Sequence, residues 1–218
     1  MHIKNLTKKQ KIAAALAVIL IAVGVWYVLD NWNGPVPDTA NYKSGLLSFD
    51  YARTAELREY AVGAVSIGEE GESDTFMPIV EVVRYKSDPD TALPANYDAF
   101  ITRQARNLCA ADGPTESLSC TNVESETFTT TGGVFGKKLS LTLIRKNLQT
   151  GTTTESTYAP IYAFNVTEPV TAESPLRYAS VFVYPALSTL LAGSSSPALM
   201  DQVLNTLVIS NGITTVGQ

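Results

Sequence analysis

Histidine is all but absent from this chain: the only one in 218 residues is His2. Everything beyond the first few residues therefore lacks Ser-His-Asp and Cys-His catalysis, and any His-ligated zinc or copper site. Cysteine is nearly as scarce, with Cys109 and Cys120 the only two. No lipid-modified cysteine can follow the apolar run near the N-terminus. Basic runs are missing after Lys11. All 21 acidic residues lie beyond the apolar run, against 12 of the 16 basic ones, so the outer part carries a formal charge of −9. That balance argues against nucleic acid and against docking on anionic lipid head groups.

What is present first is an anchor pattern. Lys4, Lys8, Lys9 and Lys11 precede an uncharged apolar stretch from Ile12 to Leu29. As a helix these 18 residues span about 27 Å, enough to cross a hydrocarbon core of ~30 Å with help from flanking residues. A cleaved signal is the competing reading. The run is longer than a signal h-region, and no small-x-small cleavage site follows it. Trp26, Tyr27 and Trp32 stand at its outer end, where aromatic rings favour the membrane–water interface. The lysine asymmetry puts the N-terminus in the cytoplasm. The expected organisation is a cytoplasmic tail (1–11), a signal anchor (12–29), a stem (30–41) stiffened by Pro35 and Pro37, and an extracytoplasmic domain (42–218).

In an oxidising compartment two cysteines are expected to pair. Asp112-Gly113-Pro114 between them reads as a turn, which favours a short closed loop. A redox-active pair usually has a Cys-x-x-Cys spacing, which this is not.

Strand patterns dominate the outer part. Leu47, Phe49 and Tyr51 alternate with polar residues. Tyr60–Ile67 reads as one strand, joined to Ile79–Tyr85 through the polar turn Glu69–Asp74. Lys138–Arg145 places Leu139, Leu141 and Leu143 on one face. Thr157–Val166 places Tyr158, Tyr162 and Phe164 together, with Pro160 marking an edge or a bulge. Leu176–Tyr184 puts Tyr178, Phe182 and Tyr184 opposite Val181 and Val183. Thr129–Gly133 and Thr150–Thr154 read as turns. Two helices are expected. One runs Asn96–Ala110, with Tyr97, Phe100, Ile101, Gln104 and Leu108 along a stripe. The other is capped by Ser196, starts at Pro197, buries Leu199, Val203 and Leu207, and ends at Asn211-Gly212. The class is then α+β, with two helices packed on an antiparallel sheet.

The segment Tyr42-Lys43-Ser44-Gly45-Leu46-Leu47-Ser48-Phe49-Asp50-Tyr51 resembles the opening strand of PsbP/Mog1-like domains. Ala52 stands where that family's pattern has proline. The mid-chain helix with Tyr97 and Phe100, the turn at Gly132-Gly133-Val134-Phe135-Gly136 and the closing Leu207-Val208-Ile209 are similar in order, over about residues 42–210. The resemblance implies an αβα sandwich around an antiparallel sheet. It carries over no catalytic residue, because many members look like binding or assembly-accessory modules.

The remaining constellations are carboxylates and aromatics. Glu69, Glu70, Glu72 and Asp74 form an oxygen-rich loop, but their order is not that of an EF-hand, and a solvated hairpin tip is the expected role. Asp88-Pro89-Asp90 is read as a turn. The stripe Tyr158, Tyr162, Phe164, Tyr178, Phe182 and Tyr184 is expected as core under a helix rather than as a sugar or peptide platform. Asn165-Val166-Thr167 matches a glycosylation sequon.

No catalytic, cofactor or metal residues are assigned. The residues singled out are the disulfide pair Cys109 and Cys120 and the anchor positions Ile12, Trp26, Tyr27 and Leu29. The expected function is a non-catalytic, membrane-anchored binding or assembly-accessory module of the cell envelope. Its partners are the lipid bilayer and an unidentified envelope protein or ligand, without cofactor. The alternative is a hydrolase acting on wall glycans through paired carboxylates. A pilin role is disfavoured, because the apolar helix lacks an early glutamate.

Overall fold

A computed structural model of the chain describes residues 38–70, 75–87, 92, 94–166, 178–187 and 197–210. The expected span 12–29, with Ile12, Trp26, Tyr27 and Leu29, lies outside them. No helix among the described residues is long and apolar enough to cross a membrane.

A hairpin of β1 (Thr39–Lys43) and β2 (Leu47–Ala52) comes first. Three strands follow: β3 (Glu56–Ala61), β4 (Ala64–Glu70) and β5 (Phe76–Lys86). Helix α1 (Tyr97–Leu108) leads to the two-residue β6 (Ala111–Asp112) and then to three long strands. These are β7 (Glu116–Thr129), β8 (Phe135–Asn147) and β9 (Thr153–Asn165). β10 (Ala179–Pro185), helix α2 (Pro197–Thr206) and the short β11 (Val208–Ile209) complete the order. One sheet has the order β1-β2-β11; the other has eight strands, β3-β4-β5-β10-β9-β8-β7-β6. Neighbouring strands are antiparallel throughout.

The expected helix-packed αβα sandwich is not what the chain forms. About 60% of the described residues are strand, and the large sheet curls into a half-barrel. The reason is partly one of size. Eight strands at ~4.8 Å spacing are about 34 Å across, whereas the 12 residues of α1 give a rod of about 18 Å. One helix covers only part of one face. On the other face the three-stranded sheet shares the cover with α2. The first core is built there, from Leu47 and Phe49, from Val65, Val82 and Val181, and from Val203 and Leu207. The second core lies beneath α1, where Phe100, Ile101 and Ala105 meet Leu139, Leu141, Ile161 and Phe182.

Local chemistry explains the element ends. Asn96 caps α1, its side-chain oxygen accepting from the Ala99 N–H at 2.8 Å. Asp98 and Arg106 lie at the ends that the helix dipole favours. The apolar run Tyr60–Ile67 is split between β3 and β4, because Gly63 turns the chain at φ +76° and leaves Val62 exposed. Helix α2 stops at Thr206 rather than at Asn211-Gly212. The Thr206 hydroxyl donates to the Gln202 carbonyl at 2.9 Å and accepts from the Asp50 N–H at 2.8 Å. Val208 and Ile209 then pair with Ser48 and Leu47 as a strand.

β9 carries the largest departure in register. Leu139 faces Ile161 but Leu141 faces Tyr158, so Ala159 and Pro160 together oppose Ser140. This bulge flips the pleat. Tyr158 therefore joins the second core, while Tyr162 and Phe164 join the first. Pro160 marks a bulge in an interior strand, and the expected single aromatic stripe is divided between two faces.

Cys109, at the C-terminal end of α1, is bonded to Cys120 of β7, with Cα atoms 6.0 Å apart. Both are buried. The link ties the helix to the strand it packs on and closes a short loop around Gly113, whose N–H donates to the Glu116 carbonyl at 2.8 Å. Cys109→Ser should lower the unfolding free energy by roughly 2–4 kcal/mol. Urea unfolding of oxidised, reduced and Cys109→Ser protein checks this. An unchanged midpoint on reduction would show that the loop contributes nothing.

Candidate functional site

The bulge in β9 also shapes a cavity of about 170 Å³ between the large sheet and α2. Ala159, Pro160 and Tyr162 of β9 line one side, and Ile79 and Val80 of β5 another. Pro185 closes β10 beside them, and α2 contributes Pro197, Met200 and Asp201. Three of these residues are prolines. Proline has no N–H, so such a wall presents few backbone donors that need water or a polar partner. The backbone around Pro185 is held in place: the Ala186 N–H donates to the Ile79 carbonyl at 2.9 Å, and the Tyr158 hydroxyl donates to the Pro185 carbonyl at 3.1 Å.

Among the described residues, Asp201 is the only charged one in the lining. Next to the cavity, Glu126, Lys138 and Tyr162 lie directly opposite one another across β7, β8 and β9. Lys138 donates to Glu126 at 2.7 Å. Burial raises the pKa of the Tyr162 hydroxyl; Lys138 opposes the shift, while Asp201 and Glu126 add to it. Lys138 is thus already paired with Glu126, and Asp201 gives the rim its negative character.

A second constellation lies on the opposite face of the large sheet. Ser66, Glu81 and Tyr184 are direct neighbours across β4, β5 and β10. The Tyr184 hydroxyl bonds to the Glu81 carboxylate and also to Tyr85, and Tyr60 bonds to Ser66. Burial first, then the Glu81 charge, raises the pKa of Tyr85, Tyr158 and Tyr184; Tyr60, more than half exposed, feels the same carboxylate. Tyr97 of α1, half-buried and bonded to the Ser180 hydroxyl at 3.0 Å, is likewise raised to about 12 by burial. Glu81 is the one carboxylate that acts on these four strand tyrosines. Chemistry with two facing carboxylates needs a partner that this cluster does not supply. The Tyr184 phenol bonded to Glu81, with Tyr85 bonded to Tyr184, ties neighbouring strands together instead.

Other residues singled out from the sequence fall as follows. Glu69 and Glu70 are exposed at the end of β4, while Glu72, Asp74, Asp88 and Asp90 lie outside the described residues. Among the described residues no three His, Cys, Asp or Glu side chains come together as metal ligands. Tyr178 stacks on Phe100 of α1, with ring centroids 5.9 Å apart. Asn165 is exposed at the end of β9, and Thr167 lies outside the described residues. Sequence reasoning missed Met200, Asp201 and Glu81. The helical stripe accounted for Leu199 and Val203 and gave no reason to examine the residues between them.

Comparison with protein-family models finds no match to this chain, and comparison with curated proteins finds none either.

The tyrosines set an alkaline limit on stability. Below pH 10 their contribution is complete. Above it the unfolded chain releases phenol protons that the folded chain retains, so stability falls as pH rises from about 10 toward 12. Absorbance at 295 nm, followed with far-UV circular dichroism, should show part of the ten tyrosines ionising only as the β signal is lost. Smooth ionisation of all of them near pH 10 in a folded protein would contradict the burial described here.

Proposed function

We propose that the chain is a membrane-anchored, extracytoplasmic binding or assembly-accessory module of the cell envelope, and that it performs no catalysis. The proline-walled cavity is its binding element. Two features support the anchored topology: the apolar run preceded by four lysines and the aromatic residues at its outer end. The cavity carries the binding role. It is apolar, small and bounded by residues from three strands and one helix, and a single carboxylate stands in its lining. Apolar pockets with few converging polar groups are the usual form of a binding site.

Among the described residues, the hydrolase alternative would use Glu126 and Asp201, which both act on Tyr162. Glu126 is exposed and ion-paired with Lys138. A glycosidase acid needs an apolar setting that keeps its proton, and this is not one.

The test uses the full chain in living cells. Ala198 is exposed and three residues from Asp201 on α2, so the two lie on one helix face. A photo-crosslinking residue in place of Ala198 should give one discrete adduct on illumination. The same residue in place of Leu148, at the β8–β9 turn, should give none. Protease added to intact cells, or to spheroplasts where a wall blocks access, should digest the adduct. Equal smears from both positions would refute binding at the cavity. A discrete adduct that protease cannot reach would refute the topology. Turnover of wall glycan by the purified protein, lost in Glu126→Gln or Asp201→Asn, would promote the hydrolase.

A further inference from the structure

We infer that the occupant of the cavity is a single aromatic side chain carried next to a lysine or arginine on a partner protein. The inference rests on the proposed binding role and names the chemistry of the partner.

Size sets the first limit. The cavity measures about 170 Å³, and a protein cavity of roughly 150 Å³ is known to accept one benzene ring. One ring fits, and a folded segment does not. The walls set the second limit. Pro160, Pro185, Pro197 and Tyr162 present flat, stiff rings, and Met200 adds a thioether that adapts to its neighbour and favours aromatic contact. The prolines offer no N–H donors, so a sugar hydroxyl or a phosphate would lose its water and find little to replace it. An aromatic ring gives up little by entering.

Charge sets the third limit. Asp201 is the only charged lining residue among those described. The nearby cation, Lys138, is held by Glu126 at 2.7 Å. The outer part as a whole carries −9. A cation beside the ring is therefore attracted, and a carboxylate there is repelled. Asp201 is exposed, so its effect is one of selectivity and capture, and the gain in affinity is modest.

Methionine provides the reporter. The chain has three, Met1, Met77 and Met200; of the two described, Met200 lines the cavity and Met77 does not. The full chain, labelled with ¹³C at the methionine methyl groups and held in zwitterionic detergent, gives three methyl signals. Met200→Leu identifies the signal from the cavity. Phenethylamine carries one ring and an ammonium, 3-phenylpropionate one ring and a carboxylate, and butylamine an ammonium alone. Phenethylamine should move the Met200 signal by a ring-current shift and leave Met1 in place. It should bind about threefold more tightly than 3-phenylpropionate, the size expected of an exposed charge pair. Asp201→Asn should bring the two affinities together. Butylamine should leave Met200 unmoved.

Each contrary result has its own meaning. Equal affinities for the two ring compounds in the unmodified chain overturn the inference and leave the cavity as a binding site. A butylamine shift equal to that of phenethylamine overturns the aromatic occupant. A Met200 signal unmoved by every probe removes the cavity as a binding element, and the inference with it.

Discussion

Burial of β10 on both faces is the constraint on which the rest of the structure depends. All seven residues from Ala179 to Pro185 are buried, with Val181, Phe182 and Val183 fully so. Removing such a side chain from water stabilises by about 1.5–3 kcal/mol, and here the gain requires cover above and below. Val181 and Val183 belong to the core shared with α2 and the small sheet; Phe182 and Tyr184 belong to the core beneath α1. The neighbouring strands satisfy its backbone, β5 along its whole length and β9 along part of it. Its serine, Ser180, is fully buried and bonds to the Phe164 carbonyl at 3.0 Å and to Tyr97 at 3.0 Å. Two cores that share a strand hold both layers to one sheet.

Long strands and their interruptions do the remaining shaping. β7, β8 and β9 run 13 or 14 residues each, long enough for strand twist to curl the sheet. Bulges adjust where faces must change. Asn122, at φ 49°, lies inside the register shift between Thr121 and Glu124 of β7. Ala159-Pro160 shifts β9. Gly68 sits at the shift between β4 and β5, where an added Cβ would stand 2.0 Å from the Met77 carbonyl oxygen. The β9 bulge also shapes the cavity, because it sends Tyr162 toward α2 and leaves Pro160 as a wall. The feature that breaks the pattern also makes the site.

Much of the fold was legible from local pattern. Leucine alternation in β8, the apolar stripe of α1, proline at the start of α2 and the paired cysteines each act through residues close in sequence. Other features needed contacts that sequence does not display. β7 is largely polar, with Leu118 and Cys120 its only buried residues, so periodicity gave little sign of it. Val208 and Ile209 look like the tail of a helix until β2 offers them hydrogen bonds. Gly63 inside an apolar run looks like part of a strand until the pairing of Ala61 with Ala64 shows a turn. The cavity was the least legible. Its residues come from positions 79 to 201, and prolines that read singly as strand breakers or helix starters become one wall only after folding.

A strand shared by both cores should make them one cooperative unit, which native-state hydrogen exchange reads out residue by residue. The amides of Val181 to Tyr184 should be among the slowest. Leu141, under α1, and Phe49, in the small sheet, should be exposed with the same free energy and the same denaturant dependence as β10. If one core opens at markedly lower denaturant while β10 stays protected by the other, the two cores are separable and the account fails.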